Sequence, residues 1–263
     1  MLIPPRPESP DACWTDELEA LHAESSRDHF LDVWTRRALL DVVAAGSEPR
    51  VILDAGCSSG YLLGDLARAY PSAELIGVDL LAGGLRRAHT LVPRARLLQA
   101  DVRALPLADG SVDAVLSANL LEHVPDDAGA LAELWRVLRP GGLAALVVPT
   151  GPDTYDYYDA FLGHERRYGR GELARRAAGF EVVCDTHLGA LIYPAFRAVK
   201  RRNRRRYPNP SAAEQRVLVE RDIRRTQSSR LGAATVRVER ALLRRGVPLP
   251  FGIRGLTVLR KPA

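Results

Sequence analysis

The chain has 263 residues, enough for one large domain with a substantial buried core plus an appendage. Its three cysteines, Cys13, Cys57 and Cys184, are far apart and odd in number, which argues against a disulfide framework, and no C-x-x-C or H-E-x-x-H spacing points to a metal, so none is expected. The net charge of +5 hides an asymmetry: residues 1–190 carry 18 Lys/Arg against 28 Asp/Glu (net −10), and residues 191–263 carry 19 against 4 (net +15). No apolar run approaches the roughly 18–20 residues of a membrane span. The proline-rich start (Pro4, Pro5, Pro7, Pro10) has no basic-then-apolar signal pattern and reads as a leader, so a cytoplasmic protein is expected.

Taken in chain order, residues 14–43 read as one or two helices, with Phe30, Val33, Trp34, Leu39 and Leu40 at helical spacing. Residues 51–53 are a short apolar run with two β-branched members, which suits a buried parallel strand. Asp54 ends that strand, and Gly56 and Gly60 bracket a tight turn before a helix over 61–69. A glycine there lets the backbone turn sharply and meet a ligand closely, and in open α/β sheets ligands bind where a strand ends and a helix begins. Further short strands follow at 74–80, 95–101, 111–119 and 143–148, separated by helices at 84–91 and 127–138. Strands alternating with helices imply βαβ units and a parallel sheet. A sixth strand is expected at 179–184, helix over 211–245 after the helix-stopping Pro208 and Pro210, and a seventh strand at 256–259.

Asp54, Gly56 and Gly60 match a D-x-G-x-G-x-G pattern from which Ser58 departs, and the G-x-G-x-x-G of dinucleotide-binding proteins is absent. The segment resembles motif I of the class I S-adenosylmethionine-dependent methyltransferases. Residues 105–113, the Leu120-Leu121-Glu122-His123-Val124 segment and the Arg136 to Gly142 turn resemble three further motifs of that family, in its order. The resemblance spans 51 to about 193. It implies a Rossmann-like α/β fold: a seven-stranded sheet with helices on both faces, the last strand antiparallel between strands five and six, an N-terminal helical cap and a basic insertion between strands six and seven. It divides the chain into leader and cap (1–46), cofactor-binding core (47–193), basic insertion (194–246) and final strand (247–263). The implied cofactor is S-adenosylmethionine. Asp54, Gly56 and Gly60 would line its methionine end, and Cys57, Ser58 and Leu80 would be further cofactor-binding residues. Asp79 would hold its ribose, Asp101 with Val102 would contact its adenine, and Asn119 would cover the sulfonium through its backbone. By the same resemblance, His29, Phe30, Trp34 and Arg36 look like the cap of the cofactor cleft.

The loop after the fifth strand carries Asp153, Tyr155, Asp156, Tyr157, Tyr158 and Asp159, then His164-Glu165-Arg166-Arg167-Tyr168. It resembles the substrate-facing lid of a bacterial subgroup, some of whose members act in glycan or lipid-intermediate pathways. Methyl transfer is an in-line displacement that positioning alone accelerates strongly, and a base is needed only when the acceptor must lose a proton. His164 is the first candidate base because imidazole titrates near neutral pH; His123 and Tyr168 follow. Tyr155, Tyr158, Arg166 and Arg167 are candidate acceptor contacts, since a guanidinium grips carboxylate or phosphate bidentately.

Lys200 to Arg206 is the densest basic run, and Tyr193, Phe196 and Val199 at spacing three give the preceding stretch an apolar face. Such a segment (196–206) suits peripheral contact with an anionic membrane or a lipid-linked acceptor, with nucleic acid as the weaker alternative and a solvated face as the plain one. The expected activity is methylation of a small molecule, oxygen favoured over nitrogen or carbon. The rival readings are an NAD-dependent oxidoreductase and a non-catalytic protein that keeps the cofactor fold and docks on RNA or membrane.

Overall fold

The computed structural model describes residues 26–226 and 230–263, so the proline-rich leader, Cys13 and the front of the expected N-terminal helical segment lie outside the described residues. Seven strands are formed: β1 (Val51–Ala55), β2 (Glu74–Asp79), β3 (Arg96–Gln99), β4 (Val112–Ala118), β5 (Leu138–Pro149), β6 (Glu181–Leu188) and β7 (Arg254–Arg260). They make one sheet in the order β3-β2-β1-β4-β5-β7-β6, parallel except for β7, which runs antiparallel between β5 and β6. The strand order reverses between β1 and β4, and that switch point opens a crevice above the strands' carboxyl ends.

Strand periodicity of two sends alternate side chains to opposite faces. Ile52, Leu75, Leu97 and Leu116 pack under α1 (Phe30–Ala44), α2 (Tyr61–Ala69) and α3 (Ala82–Leu91). Leu53, Ile76, Leu98 and Val115 pack under α4 (Asp127–Val137). Each such side chain, fully buried, contributes roughly 1.5–3 kcal/mol, so the two layers hold the sheet. The strand ends differ from expectation in two places. β5 starts at Leu138, through an irregular pairing with β4, and β6 runs on to Leu188 as an edge partner of β7.

The remaining helices are α5 (Tyr157–Phe161), α6 (Glu172–Arg176), α7 (Tyr193–Arg206), α8 (Ala212–Thr226) and α9 (Arg230–Arg244). α9 crosses α1 where Gly232 meets the Phe30 ring; a Cβ at Gly232 would lie 2.9 Å from it. Glu239 of α9 is fully buried and accepts hydrogen bonds from Trp34 Nε1 (3.3 Å), Gly189 N (2.8 Å) and Leu191 N (2.8 Å), which ties α9 to α1 and to the chain beyond β6.

The basic run is not a single face. Val199 is exposed, but Tyr193 and Phe196 pack against the core, so two of the three apolar residues expected to lie on a membrane are taken up by the protein itself. Lys200 is buried as well: its Nζ donates to Asp156 Oδ1 (2.6 Å) and Asp159 Oδ2 (3.2 Å). Only Arg201, Arg202, Arg204, Arg205 and Arg206 point outward. Removing one partner of a buried ion pair strands the other charge, so Lys200→Met should cost about 3–5 kcal/mol in urea unfolding. Arg202→Met, on the solvated side, should stay within about 0.5 kcal/mol of wild type. Equal stability of the two variants would refute the buried role of Lys200.

Candidate active site

A cavity of about 760 Å³ lies at the carboxyl ends of the strands, roofed by the N-terminal part of α1 and walled by α5, α7 and α8. Its first half is built by the turn after β1. Gly56 (φ 76°) and Cys57 both donate their N–H to Val78 O, at 2.8 and 3.0 Å. Ser58 takes φ 46°, a left-handed value that favours glycine, and its N–H bonds Asp79 Oδ2 at 2.8 Å. The other oxygen of Asp79 accepts from Leu81 N (2.9 Å), so the carboxylate is fixed at the rim with lone pairs to spare. Leu80, Asp101 and Val102 line the same wall. Arg103 is hydrogen-bonded to both oxygens of Asp101; burial opposes ionisation, but the Arg103 contacts win and hold that carboxyl below its usual range. Asn119 lines the cavity with φ 53°, and its N–H is already bonded to Val147 O (2.8 Å), which leaves its carbonyl and side chain for any covering role.

Gly60 does not line the cavity; its φ of 80° starts α2, and a Cβ there would lie 2.8 Å from Ala88 Cβ, so glycine is needed for the approach of α2 to α3. Trp34 is core, while His29, Phe30 and Arg36 of the same segment do line the cavity.

Asp54 sits at the inner end. It is buried, and its Oδ2 has no hydrogen-bond partner among the described residues. Burial first, and the neighbouring Asp79 charge second, push its carboxyl up to about 8. A buried polar atom without a partner costs roughly 1–3 kcal/mol, so this oxygen marks a place for a donor from outside the chain.

The second half of the cavity is closed by Glu122, His123 and His164. Glu122 and His123 lie on a single 3-10 turn after β4, and the loop after α5 brings His164 against them through Glu165 N to Glu122 O (2.7 Å). The His123 and His164 rings meet edge to face at 4.7 Å. His164 Nδ1 is 3.0 Å from Asp159 Oδ1, which also accepts from Arg167 Nε (2.7 Å). Burial opposes ionisation of Asp159, but the His164 hydrogen bond and the charges of Arg167 and Lys200 outweigh it and hold the carboxyl well below its usual range. Arg167 and Tyr158 line the cavity beside Lys200 and Phe196.

Three of the expected residues serve this arrangement from outside the cavity. Tyr168 is in the core, its hydroxyl donating to Asp127 Oδ2 (2.8 Å), and burial raises its pKa, so it is no base. Arg166 is bonded to the carbonyls of Val124 (2.7 Å) and Pro125 (2.9 Å), and Tyr155 OH to His164 O (2.7 Å); both hold the loop that carries His164 instead of an acceptor. Glu122 was not expected. It is fully buried, and neither of its carboxylate oxygens has a partner among the described residues. Burial pushes its carboxyl up to about 7 against the partial counter-pull of His164. Its place inside the Leu120–Val124 motif was the signal available.

A Rossmann-like sheet with an acid at the end of β1, a second at the end of β2 and a cavity at the switch point defines a nucleotide-cofactor protein of the methyltransferase type. Comparison with known proteins agrees. A methyltransferase-domain family model matches residues 53–146. The chain is 32% identical over 180 residues to trans-aconitate 2-methyltransferase of Azoarcus sp. (strain BH72), covering 68% of this chain and 66% of that one. It is 40% identical over 124 residues to demethylmenaquinone methyltransferase of Thermus thermophilus, covering 45% and 56%. Across eight curated relatives it matches, the chain spans between 35% and 66% of their length. The fold is shared with Haemonchus contortus phosphoethanolamine N-methyltransferase 2 in complex with S-adenosyl-L-methionine (17% identity, TM-score 0.61, 95% of this chain and 58% of that one). It is shared too with geranyl diphosphate C-methyltransferase of Streptomyces coelicolor A3(2) (16%, TM-score 0.58, 88% and 76%). The chain belongs to the class I S-adenosylmethionine-dependent methyltransferases.

The residues fit that family's cofactor. The bare oxygen of Asp54 suits a cationic ammonium, and Asp79 suits a pair of ribose hydroxyls. The raised carboxyl of Asp54 also sets a pH dependence. A folded-state pKa above the unfolded one means that the native state binds the extra proton, so stability falls as pH rises from about 4 towards about 8. The melting temperature of the ligand-free protein should therefore drop across that window, and Asp54→Asn should flatten the drop while weakening cofactor binding. An unchanged slope in the variant would show that Asp54 is not held in its acid form.

Proposed function

We propose that this protein transfers the methyl group of S-adenosylmethionine to an oxygen of a small-molecule acceptor bound between Tyr158, Phe196 and the Glu122–His123–His164 cluster. The observation that carries the reading is the continuity of one cavity from the bare carboxylate of Asp54 to the imidazole of His164. When bound, S-adenosylmethionine supplies an electrophilic methyl on a sulfonium. The chain's own part is to hold both reactants and manage a proton. Asp54 and Asp79 fix the cofactor's two polar ends, and Leu80 and Val102 flank the base pocket. α7 and α8 wall the acceptor side from water, so the reacting groups meet in one orientation, the largest source of acceleration for a displacement of this kind. With Nδ1 held by Asp159, His164 presents Nε2 to take a hydroxyl proton.

The cations beside the Glu122–His123–His164 cluster are paired: Arg167 and Lys200 with Asp159 and Asp156, and Arg254 with Asp32. That favours an acceptor whose reacting end is uncharged. The outward arginines Arg201, Arg202, Arg205 and Arg206 sit on the other side of the same helix and would favour an acceptor with phosphate beyond the cavity, or one presented at an anionic surface.

Calorimetry tests the reading. S-adenosylhomocysteine should bind one to one, Asp79→Ala should weaken it at least tenfold, and NAD should not bind. Binding of NAD alone would overturn the proposal. With a hydroxyl acceptor in hand, His164→Gln should lower kcat about 10²–10⁴-fold with cofactor affinity unchanged.

A further inference from the structure

The free-base role of His164 leaves Glu122 unexplained. A fully buried carboxyl with neither oxygen hydrogen-bonded among the described residues is destabilising, and the acceptor half supplies no donor for it. We infer that Glu122, His123 and His164 form a binding site for a first-row divalent transition-metal cation at the acceptor end of the cavity. One donor atom from each of the three residues lies within 4.8 Å of the others. Donors around one tetrahedral cation held at about 2.0–2.2 Å lie about 3.4 Å apart, so a side-chain closure of up to about 1.4 Å completes the site.

The surroundings are those of a metal site. A ligating histidine donates its other ring nitrogen to a carboxylate, which fixes the ring and its tautomer. His164 has that partner in Asp159, at 3.0 Å from Nδ1, which leaves Nε2 for the cation. Arg167 and Lys200 are held by Asp156 and Asp159 and Arg254 by Asp32, which offsets part of the positive charge of Arg167 and Arg254 that Glu122 feels. Two imidazoles and one carboxylate suit Zn²⁺, Mn²⁺, Fe²⁺ or Co²⁺ better than Mg²⁺ or Ca²⁺, which take oxygen donors. Three protein ligands leave coordination positions open, as catalytic sites do. The cluster closes the end of the cavity where the acceptor is placed, so those positions face an oxygen of the acceptor; this last step rests on the methyl-transfer reading, whereas the site itself does not. With the cation bound, His164 Nε2 would be a ligand and the cation would activate that oxygen; the role of His164 as base belongs to the cation-free protein.

The test is a titration of tag-free, chelator-treated protein with Co²⁺, followed by visible absorption and by calorimetry, with S-adenosylhomocysteine binding measured on the same samples. One Co²⁺ per chain with micromolar affinity and a d–d band is expected in the wild type. Glu122→Gln and His164→Gln should each lose affinity more than tenfold while still binding S-adenosylhomocysteine, which reports that the fold is intact. Absence of stoichiometric Co²⁺ binding in the wild type, or undiminished binding in Glu122→Gln, overturns the site. S-adenosylhomocysteine bound without Co²⁺ would leave the methyltransferase reading standing and remove the cation; Co²⁺ bound without S-adenosylhomocysteine would do the reverse.

Discussion

The ionised carboxylate of Asp159 is the interaction on which the acceptor side depends. An isolated charge taken out of water costs several kcal/mol even after relaxation, and it persists only with partners. Asp159 finds them in three places: the Nδ1 of His164, the guanidinium of Arg167 and the ammonium of Lys200. The first two come from the loop after β5, the third from the insertion between β6 and β7. One carboxylate thus joins the loop to α7, and the wall that the two make is set by electrostatics in a dry environment. Asp156 repeats the arrangement one turn earlier, capping α5 while it accepts from Lys200.

Asp54 and Glu122 are the opposite case. They are as deeply buried as Asp159, yet carry oxygens with no partner among the described residues. Native interiors satisfy nearly all such atoms, and the exceptions concentrate where a ligand will supply the missing contact. The two bare carboxyls line one cavity. Pairing therefore separates the acids by role, since the paired Asp159 builds the wall and the bare Asp54 and Glu122 face what binds.

The sheet was legible because its strands are buried on both faces and read as apolar runs, and because acids and glycines punctuate their ends. β6 was foreshortened in the sequence for the converse reason. It is an edge strand with Val182 and Val183 half exposed, so its pattern carries little information, and its later half is recognised only by pairing with β7. Ser58 was legible as a departure whose cost is local: it adopts the left-handed φ that glycine takes freely, a strain on the order of 1–2 kcal/mol. The acceptor side was legible in composition and illegible in geometry. Tyr155, Arg166 and Tyr168 have the chemistry of contacts, but spacing cannot say that their polar atoms are engaged by Asp127 and by the carbonyls of Val124, Pro125 and His164. Glu122 escaped because its meaning lies in what it does not touch, and its nearness to His164 spans two loops that only the sheet brings together.

The charge asymmetry resolves in the same terms. Part of the positive excess of residues 191–263 is neutralised by the acidic remainder of the chain: Lys200 by Asp156 and Asp159, Arg240 by Asp41, Arg254 by Asp32, Arg197 by Asp153. Of the remainder, Arg201, Arg202, Arg204, Arg205 and Arg206 stay in solvent and make no ion pair among the described residues. These two populations answer differently to ionic strength. Exposed charges are screened within about 10 Å at 0.1 M salt, whereas buried pairs are screened far less. Salt that erases the outer field of α7 therefore leaves Lys200 in place, and the cavity wall keeps its geometry when the surface has lost its charge.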